Sequence, residues 1–143
     1  MSRSILVPHD GSSNAQAAFK YALDTFPNAQ IILFHAIDPF EVTPADEQLP
    51  ALTDEWLDDQ RSRAAQLFED ARGDLGDEYE TVDVETETGI GSPAQTIVAA
   101  VDGTDADQIV MGSKGRSGAP GARMGSTAEL VVKRVDVPVT IVR

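Results

Sequence analysis

Apolar residues along this chain fall into two alternating patterns, short unbroken runs and stripes of helical spacing. Ile5-Leu6-Val7 is the first run, the mark of a strand buried on both faces. Pro8-His9-Asp10-Gly11 ends it, and Ser12 and Ser13 follow as candidate helix N-caps. Ala15, Ala18, Phe19, Ala22, Leu23 and Phe26 then share one helical face, until Pro27-Asn28 stops the helix. A second buried run extends from Ile31 to Ile37, interrupted by His35.

Beyond it, 38–50 is acidic and carries prolines at 39, 44 and 50, a surface excursion. A second helix is expected from near Thr53 to about Leu75, with Leu57, Ala64, Leu67, Phe68, Ala71 and Leu75 inward and Trp56 packed at its first turn. Val82 to Thr86 alternates apolar and polar, as an edge strand with one solvated face does. Gly91-Ser92-Pro93 opens a third helix, with Ser92 as N-cap, Pro93 at the first turn and Gln95 completing a capping box. Ala94, Ile97, Val98 and Val101 form its stripe, and an acidic turn spans Gly103 to Asp107. A fourth run, Gln108 to Met111, precedes a last helix with Ala128, Val131, Val132 and Val135 at helical spacing. The final strand covers Val137 to Val142; Pro138 cannot donate to a ladder, so it marks an edge or a strand start. Strands alternating with helices imply right-handed βαβ units and a parallel sheet covered on both faces.

Between the fourth strand and fourth helix lies MGSKGRSGAPGARMGST, Met111 to Thr127. Connections of this kind usually take about 2–6 residues, so a longer one tends to be functional or disordered. Its glycines at 112, 115, 118, 121 and 125 let backbone amides approach a ligand closely. Lys114, Arg116 and Arg123 lie among them with no acid, and the stretch ends at a helix start, where free amides and the positive dipole end favour an anion. A phosphate cradle is the reading this suggests. Bland readings stand beside it: a glycine-rich linker, or a Ser126-x-x-Glu129 capping box that by itself explains Ser126. Gly89-Ile90-Gly91-Ser92-Pro93-Ala94 also fits the loose dinucleotide fingerprint, but the acid expected some 20 residues later is missing. A Walker A motif is absent.

At these residues the chain resembles the universal stress protein family. Gly112-x2-Gly115-x9-Gly125-Ser126 matches that family's ATP-binding pattern, and the opening ILVPHDGS and closing VPVTIVR resemble its two ends. The likeness covers nearly the whole chain. It implies a single α/β doubly wound domain over 1–143, a five-stranded parallel sheet of order 3-2-1-4-5 with helices on both faces. The strand order would reverse between strands one and four, and ligands of open α/β sheets bind at such a point. By resemblance, amides around Gly115, Gly125, Ser126 and Thr127 would hold the triphosphate of ATP, with AMP as the alternative. Gly112 would admit the ribose, and Lys114 and Arg116 would lend charge. Met111 and Ala36 would form the base pocket, closed by Pro8 and by Asp10 as hydrogen-bond acceptor; an ordinary turn is the bland reading of Asp10. His9 departs from the small or β-branched residue usual in the family and would stack on the base or occupy solvent, adding charge near phosphates. His35, in Phe34-His35-Ala36, is expected as a satisfied core histidine. Mg²⁺ or Mn²⁺ would ride on the phosphates, since no carboxylate cluster or cysteine is there to hold it. The family also implies a homodimer through strand 137–142, where Val139, Ile141 and Val142 would otherwise leave an exposed edge.

A nucleotide-dependent stress sensor or switch follows, rather than an enzyme beyond weak hydrolysis, because the loop has no carboxylate or glutamine to orient water. The rivals are a dimeric interaction module that binds no nucleotide, and a slow ATPase or phosphotransferase. No apolar run approaches the roughly 18 residues of a membrane span, and the N-terminus is too sparsely apolar for a signal peptide, so a cytoplasmic address is expected. Eleven basic against twenty-four acidic residues, a formal charge of −13, argue against nucleic acid. The acid is spread over helix faces and loops, as suits a halophile-like, high-salt cytoplasm where the Debye length falls to about 3 Å at ~1 M. Dialysis into dilute buffer should therefore lower the folded far-UV circular dichroism signal; equal stability at low and high salt would refute the salt-adapted reading.

Overall fold

A computed structural model describes residues 3–40, 53–114 and 124–143. Five strands form one parallel sheet: β1 (Ser4–Pro8), β2 (Gln30–Ile37), β3 (Val84–Ile90), β4 (Gln108–Gly112) and β5 (Val139–Val142). Their order is β3-β2-β1-β4-β5, as the resemblance implies. Of the excursion expected over 38–50, residues 41–50 lie outside the described residues, as do Gly115, Arg116, Gly118, Gly121 and Arg123. The three central strands, β2, β1 and β4, are buried on both faces, which explains their unbroken apolar text.

Side chains alternate across the sheet and so sort the core into two halves. Ile5, Val7, Ile31, Leu33 and Val110 meet α1 (Ser13–Thr25) and α2 (Asp54–Gly73) through Phe19, Ala22, Ala64 and Phe68. Leu6, Ile32, Phe34, Ile109 and Met111 meet α3 (Pro93–Thr104) and α4 (Ser126–Arg134) through Ala94, Ile97, Ala128 and Val131. Ser12 caps α1 by accepting the Ala15 amide at 3.2 Å, and Thr53 caps α2 by accepting that of Trp56 at 3.1 Å. Such caps stabilise by about 1 kcal/mol each.

Several local expectations shift. The third strand begins at Val84 rather than Val82 and runs to Ile90, because it pairs with β2 from Ile31 through Ile37. Val82 stays in the preceding turn, where its carbonyl accepts from Arg72 Nη2 at 2.8 Å. Gly89 belongs to that strand: a Cβ there would stand 3.0 Å from the Phe34 ring, so close packing explains this glycine of the false dinucleotide motif. The Ser92 capping box does not form, since Ser92 makes no side-chain cap bond and Thr96 Oγ1 donates to the Ser92 carbonyl at 3.0 Å. α3 runs on through Gly103 to Thr104, and Asp105 ends it in the left-handed region at φ 54°. Val132 is 44% exposed and leaves the stripe that Ala128, Val131 and Val135 keep.

α1 approaches β4 closely at Gly112. A Cβ there would lie 2.8 Å from the Asn14 carbonyl carbon and 2.9 Å from its oxygen, backbone atoms that cannot swing aside. Gly112→Ala should cost about 1–3 kcal/mol of stability, the usual penalty of overpacking, read as a lower urea midpoint. An unchanged midpoint would show that α1 retreats freely.

Candidate functional site

β1 pairs with β2 on one side (Pro8 with Phe34) and with β4 on the other (Leu6 with Ile109), so both chain crossovers diverge from the β1–β4 seam. That seam is the topological switch point, and the carboxyl ends of its strands are Pro8-His9-Asp10 and Met111-Gly112. Met111 and Ala36 belong to the cluster on the α3/α4 side, where Met124 also packs. Pro8, buried, falls on that face by alternation with Leu6. Pro8, Ala36 and Met111 are thus gathered on one face of the sheet, at its carboxyl edge.

The start of α4 is tied to the same edge. The Gly125 amide donates to the Ser113 carbonyl at 2.6 Å, and the Ser113 amide donates to the Val142 carbonyl at 2.8 Å. Ser113, 2% exposed, is a clamp that no sequence motif announced. Gly125 is the N-cap residue, Ser126 and Thr127 are the first two helical positions, and Ser126 is exposed. Amides at such positions have no acceptor inside the helix. The expected Ser126–Glu129 capping box is not made: Gly125 carries no side chain to cap with, and Glu129 instead accepts from Lys133 Nζ at 3.2 Å. The Gly125 amide is engaged by the Ser113 carbonyl, so the amides of Ser126 and Thr127 are the ones at this end without an acceptor inside the helix. Lys114 is half-buried at the end of β4, and Gly115 and Arg116 lie outside the described residues. The glycine at 112 was expected to admit a ribose; the space a side chain would fill there is taken by Asn14.

Asp10 Oδ1 accepts the Ser12 amide at 3.0 Å, a turn contact that fixes the carboxylate at the mouth of the seam. His9 corrects the expectation most sharply. Its ring is neither stacked over the seam nor in solvent; the residue is 5% exposed and faces α1, edge-on to Phe19 at 6.3 Å between ring centres. Alternation foretold this, because His9 follows Ile5 and Val7 on the α1/α2 face. The Gly11 amide donates to Nδ1 at 3.0 Å, so the ring proton sits on Nε2 and is donated to Gln16 Oε1 at 2.8 Å. Gln16 Nε2 in turn donates to the Ala71 carbonyl of α2 at 2.9 Å. Gln16 was not singled out in the sequence; its place one turn before Phe19 on α1 is the only signal. His35 is satisfied, as expected, through Nδ1 donating to the His9 carbonyl at 2.9 Å, although it is half-buried rather than core. Among the described residues, no group of three His, Cys, Asp or Glu side chains could hold a metal ion, and no helix is long and apolar enough to cross a membrane.

An open parallel α/β sheet whose strand order reverses between β1 and β4 defines the class. The model of the universal stress protein family matches residues 1–143, and the chain belongs to that family. It is 30% identical to the universal stress protein MJ0531 of Methanocaldococcus jannaschii over 99% of this chain and 82% of that protein. Universal stress protein UspA from Lactobacillus plantarum superposes with a TM-score of 0.76 at 27% identity, covering 99% of this chain and 97% of that one. A universal stress protein solved in complex with cAMP shares the fold at a TM-score of 0.68 and 24% identity, covering 99% and 97% of the two chains.

Burial lowers the pKa of His9, outweighing the Gln16 hydrogen bond and the Asp10 charge that push it upward. With the folded value below the unfolded one, His9 contributes stability that is full above about pH 6.5 and is lost as pH falls through that value toward the folded pKa. Urea midpoints should therefore drop more between about pH 7.5 and about pH 5.5 in the wild type than in His9→Asn. Equal drops would mean that the acids alone set the acid sensitivity.

Proposed function

We propose that the protein is an adenine-nucleotide-binding universal stress protein, a single domain over 1–143 acting as a sensor or switch in the cytoplasm. The observation that carries this reading is the start of α4, anchored to β4 through Gly125 and Ser113 beside the apolar face of Pro8, Ala36 and Met111. Amides of Ser126 and Thr127 at a helix's positive end suit a phosphate, and the apolar face suits a base. Lys114 adds a cation at the end of β4, and Asp10 offers an acceptor at the other lip. Gly115 and Arg116 complete the family's glycine pattern in sequence. ATP is the proposed ligand, with AMP as its smaller alternative and Mg²⁺ or Mn²⁺ held by the phosphates. Hydrolysis is proposed to be weak at most, because Glu129, the acid in the first turn of α4, is engaged by Lys133. A homodimer is proposed along the edge of β5, whose residues Val139 to Val142 are all half-buried in one copy.

Calorimetric titration with ATP and Mg²⁺ at high salt tests this, on protein whose dimeric mass has been checked by light scattering. Saturable binding is expected, weakened in Lys114→Ala by about 1 kcal/mol, or roughly fivefold. No heat with ATP or AMP, and no nucleotide released from the boiled protein, would remove the reading.

A further inference from the structure

His9 occupies an unusual position: it is a buried titratable ring one residue from the carboxylate at the seam, with both nitrogens engaged. Nδ1 can only accept in its contact with Gly11, because a backbone amide is the donor there. Gly11 holds a positive φ of 88°, and beyond the His9 amide, which still pairs with the Phe34 carbonyl, the turn that carries Asp10 is bonded by Gly11 to Nδ1 and by Ser12 to Asp10 Oδ1. A second proton on His9 would have to enter at Nδ1, since Nε2 already carries one toward Gln16. It would set two donors face to face across 3.0 Å, and the Gly11 amide would be expelled. The His9 carbonyl in turn accepts from His35 Nδ1 at 2.9 Å.

We propose that His9 is a positioning residue that makes nucleotide capture pH-dependent: neutral, it pins the Asp10-Gly11 turn at the mouth of the seam, and protonated, it releases that turn. The proposal rests on the nucleotide-binding reading above. Among the described residues, few charged groups surround the ring. Asp10 on its own loop and Asp74 at the end of α2 favour the proton, and His35 on β2 opposes it. From α1 the ring meets the uncharged Gln16 and Phe19. The bond from Gln16 to Ala71 extends the network to α2, so the turn and two helices share one hydrogen-bonded chain. Protonation therefore acts on Asp10 and on the seat of α1 together, whereas ordinary acid titration of the surface reaches neither selectively.

The test begins with ¹⁵N NMR of the wild-type protein without nucleotide, following the His9 ring and the Gly11 amide through a pH titration. Both should move with one midpoint. ATP and Mg²⁺ are then titrated calorimetrically at one pH unit above and one below that midpoint, into the wild type and into His9→Asn. Asn Oδ1 can accept the Gly11 amide much as Nδ1 does, and it does not titrate. The wild type should lose about tenfold more affinity on acidification than the variant, because the neutral, binding-competent fraction of His9 falls about tenfold between those two pH values. Protonation of ATP itself is common to both proteins and cancels. The proposal is overturned if the two proteins weaken equally, if the Gly11 amide ignores the ring, or if His9 stays neutral until the protein unfolds. Should His9→Asn fail to fold, the wild-type NMR midpoint still decides between coupled and independent behaviour. A wild type that binds no ATP above the midpoint defeats the nucleotide reading first, and the proposal falls with it.

Discussion

The pairing of β1 with β4 is the constraint on which the rest of the molecule depends. Residues Ile5 and Leu6 lie beside Gln108 and Ile109, more than 100 positions away in the chain. Asp107 closes the amino end of this seam twice: its amide donates to the Ser4 carbonyl and its Oδ2 accepts the Ser4 amide, each at 2.8 Å. With that edge locked, α1 leaves β1 toward one face while α4 leaves β4 toward the other. The carboxyl ends of these two strands are the switch point, the place where open α/β sheets bind ligands.

Alternation across the pleat divides the labour at that point. One face of β1, β2 and β4 presents Pro8, Ala36 and Met111 beside α4, an apolar surface next to helix-terminal amides. The opposite face presents His9 and Gly112 to α1, where the polar ring and the missing side chain serve packing. Buried polar groups are costly unless bonded, and among the described residues no buried side-chain nitrogen or oxygen lacks a partner. His9 meets that condition only in its neutral form, which is why a residue one position from Asp10 can tie the seam to the packing of two helices.

Much of this was legible in one dimension. Unbroken apolar runs marked β1, β2 and β4, and helical stripes marked α1, α2 and α3 closely, because burial on two faces or on one stripe leaves a periodic trace. Boundaries failed where a partner overrode the local signal. β3 follows β2 out to Ile90 although Gly89 weakens it, and α3 passes Gly103 before Asp105 turns the chain. Neither expected capping box forms: Ser92 is the N-cap of α3 but makes no side-chain cap bond, and the N-cap of α4 is Gly125, which leaves Ser126 one position inside the helix.

The chemistry at the seam was readable only in part. The glycine spacing and the basic residues before Thr127 identified the family and a phosphate-suited helix start by themselves, because backbone reach and charge are local properties. That the His9 ring turns toward α1, and that Asn14 occupies the space a side chain at Gly112 would fill, was decided by the tertiary structure. Both concern which face of a strand meets which layer, and that is set by packing between residues far apart in sequence. Gly125 shows the division most plainly: its place at the helix start was written in the chain, but its amide had already been taken by Ser113.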